Sequence, residues 1–277
     1  MNDEIIEKLE KFSDQIRVET LKELKELGFG HLGGSMSIIE TLAVLYGEIM
    51  RIDPKNPDLE ERDYFVLSKG HAGPALYATL ALKGYFPLDM LKTLNQNGTK
   101  LPSHPDRLLT AGVDATTGSL GQGISEAVGI ALGNMLKSLN NYTYCIVGDG
   151  ELNEGQCWEA IMFAAHHNLD NFILFIDENK KQLDGKTEEI CKSFDFVKKL
   201  ESFGFRAKRV QGDLVSEIYE AVNWAKLQDA PVAIVLDTIK GQGIPYFEKM
   251  ETNHHLRFND QDIKEIDKFV CQFDGKN

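Results

Sequence analysis

The sequence predicts a three-layer α/β/α fold with a mainly parallel sheet, on two observations. Short runs of β-branched, aromatic and aliphatic residues at 142–147, 171–176 and 231–238 alternate with helix-length segments at 154–167 and 214–227. Runs that are apolar at consecutive positions suit strands buried on both faces, and helical crossovers between them make the strands parallel. The chain of 277 residues, 42% hydrophobic and 26% charged, has enough apolar material for a large core.

In chain order, Ile5, Ile6, Leu9, Phe12, Ile16, Leu21 and Leu24 recur at helical spacing and predict an amphipathic helix over 3–27, which Gly28 and Gly30 end. A second helix is expected over 37–50, a short strand over 63–67 and a helix over 73–83. Residues 95–114 carry Gly, Pro and Asn and read as loop. Residues 118–138 open on glycines and continue as an alanine- and glycine-rich helix. After the alternating core, 260–277 reads as a peripheral helix plus tail. There is no repeat, low-complexity tract or linker, so 1–277 is read as a single domain, with an N-terminal helical segment at 1–35 and a C-terminal tail at 258–277. Gly28, Gly30 and Gly33 match GxGxxG, but the match follows a helix instead of a strand and lacks the dinucleotide-binding context.

A formal charge of −13 argues against nucleic-acid binding and requires any anionic ligand to be held locally. Cys145, Cys157, Cys191 and Cys271 form no CxxC pair, which predicts reduced, mostly buried thiols and a cytoplasmic protein. The charged N-terminus is not a signal peptide, and no apolar run approaches the ~20 residues of a membrane span.

The stretch that carries chemistry is 144–185. Asp149 stands where an apolar run ends in Gly-Asp-Gly, and Asn179 ends a second apolar run 30 positions later, 179 minus 149. One helix-length segment separates them, so two strand ends joined by one crossover bring the carboxylate and the amide side by side. With a backbone carbonyl from the Lys180–Lys181 loop, these are few, hard oxygen ligands, the pattern of Mg²⁺ held together with phosphate. Gly150 permits close approach of a backbone, and a helix starting near Glu154 offers N–H groups to the phosphate. An Asp-Gly turn and an Asn cap are the plain alternative for either residue alone; the matched pair favours the metal.

GDG followed about thirty residues later by Asn is the thiamin-diphosphate motif, and from about residue 10 to 258 the chain resembles the N-terminal half of transketolase. The similarity rests on GHLGG at 30–34, SKGHA at 68–72, LPSHPD at 101–106, TTGSLGQGIS at 116–125, GDGELNEGQ at 148–156, DENKKQLDG at 177–185 and TIKGQG at 238–243. It implies a thiamin-diphosphate-binding fold, with Asp149, Asn179 and the Lys181 carbonyl holding Mg²⁺ against the cofactor's diphosphate. Gly150, His71 and His255 would lie near the diphosphate, and Gly118 and Leu120 near the cofactor rings. His31 and His104 would face sugar hydroxyls, and Glu154 would link two active sites across a dimer. His31, His71, His104 and His255, four of seven histidines, lie in loops, as a pocket that moves protons requires. His166 and His167, late in a helix, read as structural.

The resemblance also implies a missing part. In transketolases the glutamate that activates the cofactor lies on a pyrimidine-binding domain that follows this one, and the chain stops about where it would begin. The expectation is therefore one subunit of a split, heterotetrameric transketolase that transfers a two-carbon ketol unit from a ketose (phosphate) to an aldose only with its partner. The rivals are a component of a 2-oxo-acid decarboxylase or dehydrogenase, and a non-catalytic scaffold subunit. Three positions depart from the family pattern: Leu32 and Ser119 replace Pro, and Leu256 replaces a Gly after His255. His254 stands where Trp is frequent and receives no role of its own; the Leu256 departure leaves either His254 or His255 to face the cofactor.

Overall fold

The computed structural model describes residues 3–183 and 185–274. At its centre, β1 (Tyr64–Leu67), β2 (Thr143–Gly148), β3 (Phe172–Glu178), β4 (Arg206–Gln211) and β5 (Val232–Asp237) form a parallel sheet in the order β1-β2-β3-β5-β4. The period-two alternation of a strand divides its side chains between two cores. Tyr144, Ile146, Ile173 and Phe175 join one core. Cys145, Val147, Phe172, Leu174 and Ile176 join the other. Each large side chain so buried contributes about 1.5–3 kcal/mol, which is why the inner strands read as unbroken apolar runs.

The first core is covered by α1 (Asp3–Leu27), α2 (Ile39–Val44), α3 (Gly73–Lys83) and α7 (Val215–Ala225). The second is covered by α4 (Gln122–Leu136), α5 (Gly155–His166) and α6 (Phe196–Phe203). The three layers expected from the sequence are therefore present. The final helix, α8 (Asp260–Asp274), packs on α1 and is tied to it by the Lys25–Asp267 ion pair. Residues 275–277 of the expected tail lie outside the described residues.

Several elements differ from the expectation. The helix anticipated over 37–50 divides into α2 and a wider turn at Leu45–Ile49. Strand β4 was not expected: RAKRVQ is an edge strand, polar and partly exposed, with no apolar run to announce it. Nor was α6, which Asp195 caps by accepting from Lys198 N. The glycine-rich 28–33 segment enters no parallel strand. Phe29–Gly30 instead pairs antiparallel with Leu256–Arg257, which brings the His254 segment against His31. Two cysteines, Cys145 and Cys157, are buried, but Cys191 and Cys271 are exposed, which corrects the expectation of mostly buried thiols. Among the described residues, no helix is long and apolar enough to cross a membrane.

Candidate active site

The carboxyl ends of the strands deliver the motifs, as open α/β sheets do. β1 ends at Ser68-Lys69-Gly70-His71, β2 at Asp149, β3 at Asn179 and β5 at Thr238-Ile239-Lys240. Asp149 N donates to Asp177 O at 3.1 Å, which locks the two strand ends together. Asp149 Oδ2 accepts from Lys180 N at 2.9 Å and Thr187 Oγ at 3.0 Å, and Oδ1 accepts from Gly150 N at 2.8 Å. Asn179 Oδ1 accepts from Lys181 N at 3.2 Å. The predicted trio of Asp149, Asn179 and Lys181 is thus brought together, on the wall of a cleft of about 750 Å³ that Thr187 and Thr238 also line.

Asp149 is only 2% exposed and forms no ion pair among the described residues. Burial, reinforced by the neighbouring Asp177 carboxylate, pushes its carboxyl up to about 6. A buried carboxylate with no cation in direct contact is the feature a bound metal ion would relieve. No three His, Cys, Asp or Glu side chains among the described residues converge to hold an ion unaided. One carboxylate, one amide oxygen and one carbonyl leave most of an octahedron to water and phosphate, which is how Mg²⁺ is held beside a phosphorylated ligand.

Two lysines that sequence reasoning passed over complete this end of the site. Lys69, 1% exposed, ion-pairs with Asp177 at 2.5 Å and donates to Gly34 O at 2.8 Å. Lys240 Nζ reaches Lys181 O at 3.3 Å and His254 Nδ1 at 3.0 Å, and so bridges the cleft to the histidines. Burial, with Lys69 close by, lowers Lys240 to about 8, leaving it charged at neutral pH. The available signal was a lysine before glycine at the end of an apolar strand, present in both SKGH and TIKGQG.

The histidines converge. His31 is the hub, with ring centroids 5.6 Å from His71, 5.6 Å from His104, 5.2 Å from His254 and 4.7 Å from His255. Burial and the other imidazoles lower His31 to about 4, and burial together with Lys240 lowers His254 to about 3. His71 falls well below its ordinary value through burial and Lys69, and His104 is lowered by burial. These four are neutral imidazoles at pH 7, able both to donate and to accept. His255 is exposed and packs on Phe29, whereas His254 lies against His71 at 4.8 Å.

Two glycines are required for this closeness. A Cβ on Gly34 would lie 2.8 Å from His71 Nε2, and one on Gly70 would lie 2.9 Å from Gly118 N. Gly118 is thereby held beside the SKGH loop and the His104 ring. Glu151 ties the loops from beneath, accepting from Ser68 Oγ at 2.6 Å, Gly121 N at 2.8 Å and Gly148 N at 3.1 Å.

Not every predicted residue joins the cluster. Glu154 is exposed at the start of α5, and Leu120 lies on the same rim, its carbonyl accepting from Gln156 Nε2 at 3.1 Å. His166 and His167 sit at the far end of α5, exposed.

The comparisons with known proteins decide the lineage. The family profile described as transketolase, thiamine diphosphate binding domain, matches residues 9–274. The chain belongs to the transketolase family. Within it, the chain is 50% identical over 254 residues to the 6-deoxy-6-sulfo-D-fructose transketolase subunit SqwG of Clostridium sp. strain MSTE9, covering 91% of this chain and 92% of that one. It is 38% identical over 226 residues to an apulose-4-phosphate transketolase subunit of Actinobacillus succinogenes, covering 82% of each. The transketolase of Leishmania mexicana superposes with a TM-score of 0.88 at 34% identity, over 94% of this chain but 41% of that one. The site therefore lies in the transketolase domain that binds thiamine diphosphate.

Proposed function

We propose that this chain is the diphosphate-binding subunit of a two-chain, heterotetrameric transketolase. Paired with a subunit that carries a pyrimidine-binding domain, it transfers a two-carbon ketol unit from a ketose to an aldose. The observation that carries the reading is one juxtaposition: the Asp149–Asn179–Lys181 oxygen set, bridged by Lys240 to a cluster of neutral histidines. The similarity over nine-tenths of the chain to a relative itself called a subunit supports the two-chain arrangement.

Asp149 Oδ, Asn179 Oδ1 and the Lys181 carbonyl would hold Mg²⁺, with the Lys240 ammonium against the diphosphate and Gly150 giving the backbone room. Thiamine diphosphate supplies, when bound, the nucleophilic carbon and the electron sink that ketol transfer needs. This chain's residues bind, orient and move protons. His31 and His104 face the sugar's hydroxyls, where neutral imidazoles both accept and return a proton. His71 and His254 close the floor between the sugar and the diphosphate, with His255 at the outer edge. Gly118 and Leu120 border the cofactor rings, and Glu154 faces a neighbouring subunit. We assign the protein to the cytoplasm, where four unpaired cysteines remain reduced.

The identity with a 6-deoxy-6-sulfo-D-fructose transketolase subunit makes that sulfonated ketose the first donor to assay, beside fructose 6-phosphate and xylulose 5-phosphate. The test mixes this chain with its partner subunit, Mg²⁺ and thiamine diphosphate and follows aldose release. Turnover of a ketose that requires both chains supports the reading. Pyruvate consumption in its place, or no turnover with any ketose, overturns it.

A further inference from the structure

One buried carboxylate, whose expected-ligand contact is Asn179 alone, joins its own motif to three other segments of the chain. Asp177, fully buried near the end of β3, continues the row of Ile173 and Phe175 on the face covered by the N-terminal helices. Its Oδ2 accepts from Lys69 Nζ at 2.5 Å, Ser37 Oγ at 2.7 Å and Asn179 Nδ2 at 2.8 Å, and its Oδ1 accepts from Thr238 Oγ. Four donors, the Lys69 ammonium among them, thus converge on its two oxygens.

We propose that Asp177 is the positioning residue of the metal site: as an acceptor it pins Nδ2 of Asn179, so that Oδ1, the atom able to ligate a cation, faces Lys181 and Asp149. The inference rests on the metal-site reading given above. An amide is nearly symmetric in shape and can present either end. An ionised carboxylate accepts only, so it selects the NH₂ end and leaves the oxygen for the ion. Partners of this kind, which orient ligands from behind, typically change metal affinity 10–100-fold when removed. Lys69, Ser37 and Thr238 in turn fix the carboxylate, so the SKGH, GHLGG-flanking and TIKGQG segments all bear on the direction of one amide.

The experiment is a double-mutant cycle in the assembled two-chain complex: Asp177→Asn, Asn179→Asp, and both together. Mg²⁺ affinity is measured by calorimetry at saturating thiamine diphosphate, with circular dichroism and thermal melting as controls on the fold. Each single variant is expected to weaken Mg²⁺ binding about 10–100-fold. In the double variant the amide now at position 177 can donate to the carboxylate now at position 179, which keeps the hydrogen bond reversed and the pair's charge unchanged. It is expected to recover at least tenfold over the weaker single variant, a coupling that a purely structural role would not produce.

Mg²⁺ affinity within about threefold of the parent in Asp177→Asn, or additive losses in the double variant, overturns the proposal. Should Asp177→Asn fail to fold, the exchange variant is compared with Asn179→Asp alone: Mg²⁺ binding at least tenfold tighter supports the assignment, and equal or weaker binding overturns it. An Asp149→Asn complex separates the two readings. If the parent itself binds no Mg²⁺, the metal site fails. If Asp149→Asn loses Mg²⁺ while both Asp177 variants bind like the parent, only the role of Asp177 fails.

Discussion

Replacing Asp149 by Asn sets a metal-ligand role against a turn-forming role. The carboxylate is buried, and its value of about 6, against an ordinary 3.8, measures how much the folded protein disfavours the charge. At about 1.4 kcal/mol per pH unit, the folded state carries roughly 3 kcal/mol of destabilisation at pH 7 in the absence of a cation. The sign follows from the direction. A raised carboxyl costs stability above both values, and the cost fades as pH falls through 6 towards 3.8. An amide removes the charge but not all the hydrogen bonds. Its oxygen can take the Oδ2 position and accept from Lys180 N and Thr187 Oγ, while its NH₂ then faces Gly150 N. That mismatch costs about 1–2 kcal/mol. The balance is a variant about 1–2 kcal/mol more stable than the parent without ligands, or about 2–8 °C in Tm. Mg²⁺ with thiamine diphosphate at about a hundred times Kd should stabilise the parent by about 2.7 kcal/mol and the variant by almost nothing. Melting curves with and without both ligands read both effects. A ligand-free Tm more than about 5 °C below the parent would show that Asp149 serves the Gly-Asp-Gly turn; an undiminished ligand shift would remove it from the metal.

Three further outcomes follow from the same geometry. Lys240→Met removes a charged donor that bridges Lys181 O and His254 and should weaken thiamine diphosphate binding about 10–100-fold by calorimetry, the equivalent of about 1.5–3 kcal/mol; unchanged affinity would show that it does not meet the diphosphate. The lowered histidines take up protons in the unfolded chain before the folded one. Stability without ligands should therefore fall as pH drops from about 7 to about 5, by roughly 1–3 kcal/mol after allowing for partial exposure and for Asp149, which acts in the opposite sense below about 6; a Tm that is flat or rises over that range would contradict the buried neutral cluster. Glu154→Gln, at an exposed position, should leave this chain's own Tm within about 1–2 °C, because surface changes away from special features stay within about 0.5 kcal/mol. It should weaken assembly with the partner in sedimentation experiments, and equal assembly would detach Glu154 from the subunit contact.

What the sequence disclosed follows how each feature is encoded. Strands β2, β3 and β5 are legible because burial on both faces leaves only apolar residues, so Thr143–Gly148 announces itself. β4 does not, because it is an edge strand whose exposed and half-buried positions carry Arg206, Lys208 and Arg209. Asp149 and Asn179 are legible as a pair because each closes an apolar strand and one crossover fixes the spacing. The convergence of the histidines is a tertiary fact: His31, His71, His104 and His254 are joined by the antiparallel pairing of Phe29–Gly30 with Leu256–Arg257 and by close glycine contacts, none of which leaves a periodicity. His254 shows this most directly, since only its approach to Lys240 and His71 distinguishes it from its neighbour His255. Asp177 escaped notice because an acid at a strand end reads as solvent-facing until its partners are known.

On the proposed reading, the charges of the assembled site favour taking up an ion and a diphosphate together. At pH 7 Asp149 and Asp177 are negative, and Lys240 is positive. His31, His71, His104 and His254 contribute nothing. Lys69 cancels Asp177 in a direct ion pair, so the exposed balance is one carboxylate, Asp149, against one ammonium, Lys240. A divalent cation alone would leave this buried region strongly positive, and a diphosphate alone would leave it strongly negative in a chain that already carries −13. Either excess is costly where the dielectric is low. Bound together they nearly cancel, so each raises the affinity for the other by the same factor. The neutrality of the histidines fits the same proposal: a cationic cluster beside Lys240 would hold the diphosphate without the metal and would have no lone pairs left with which to accept a proton from a sugar.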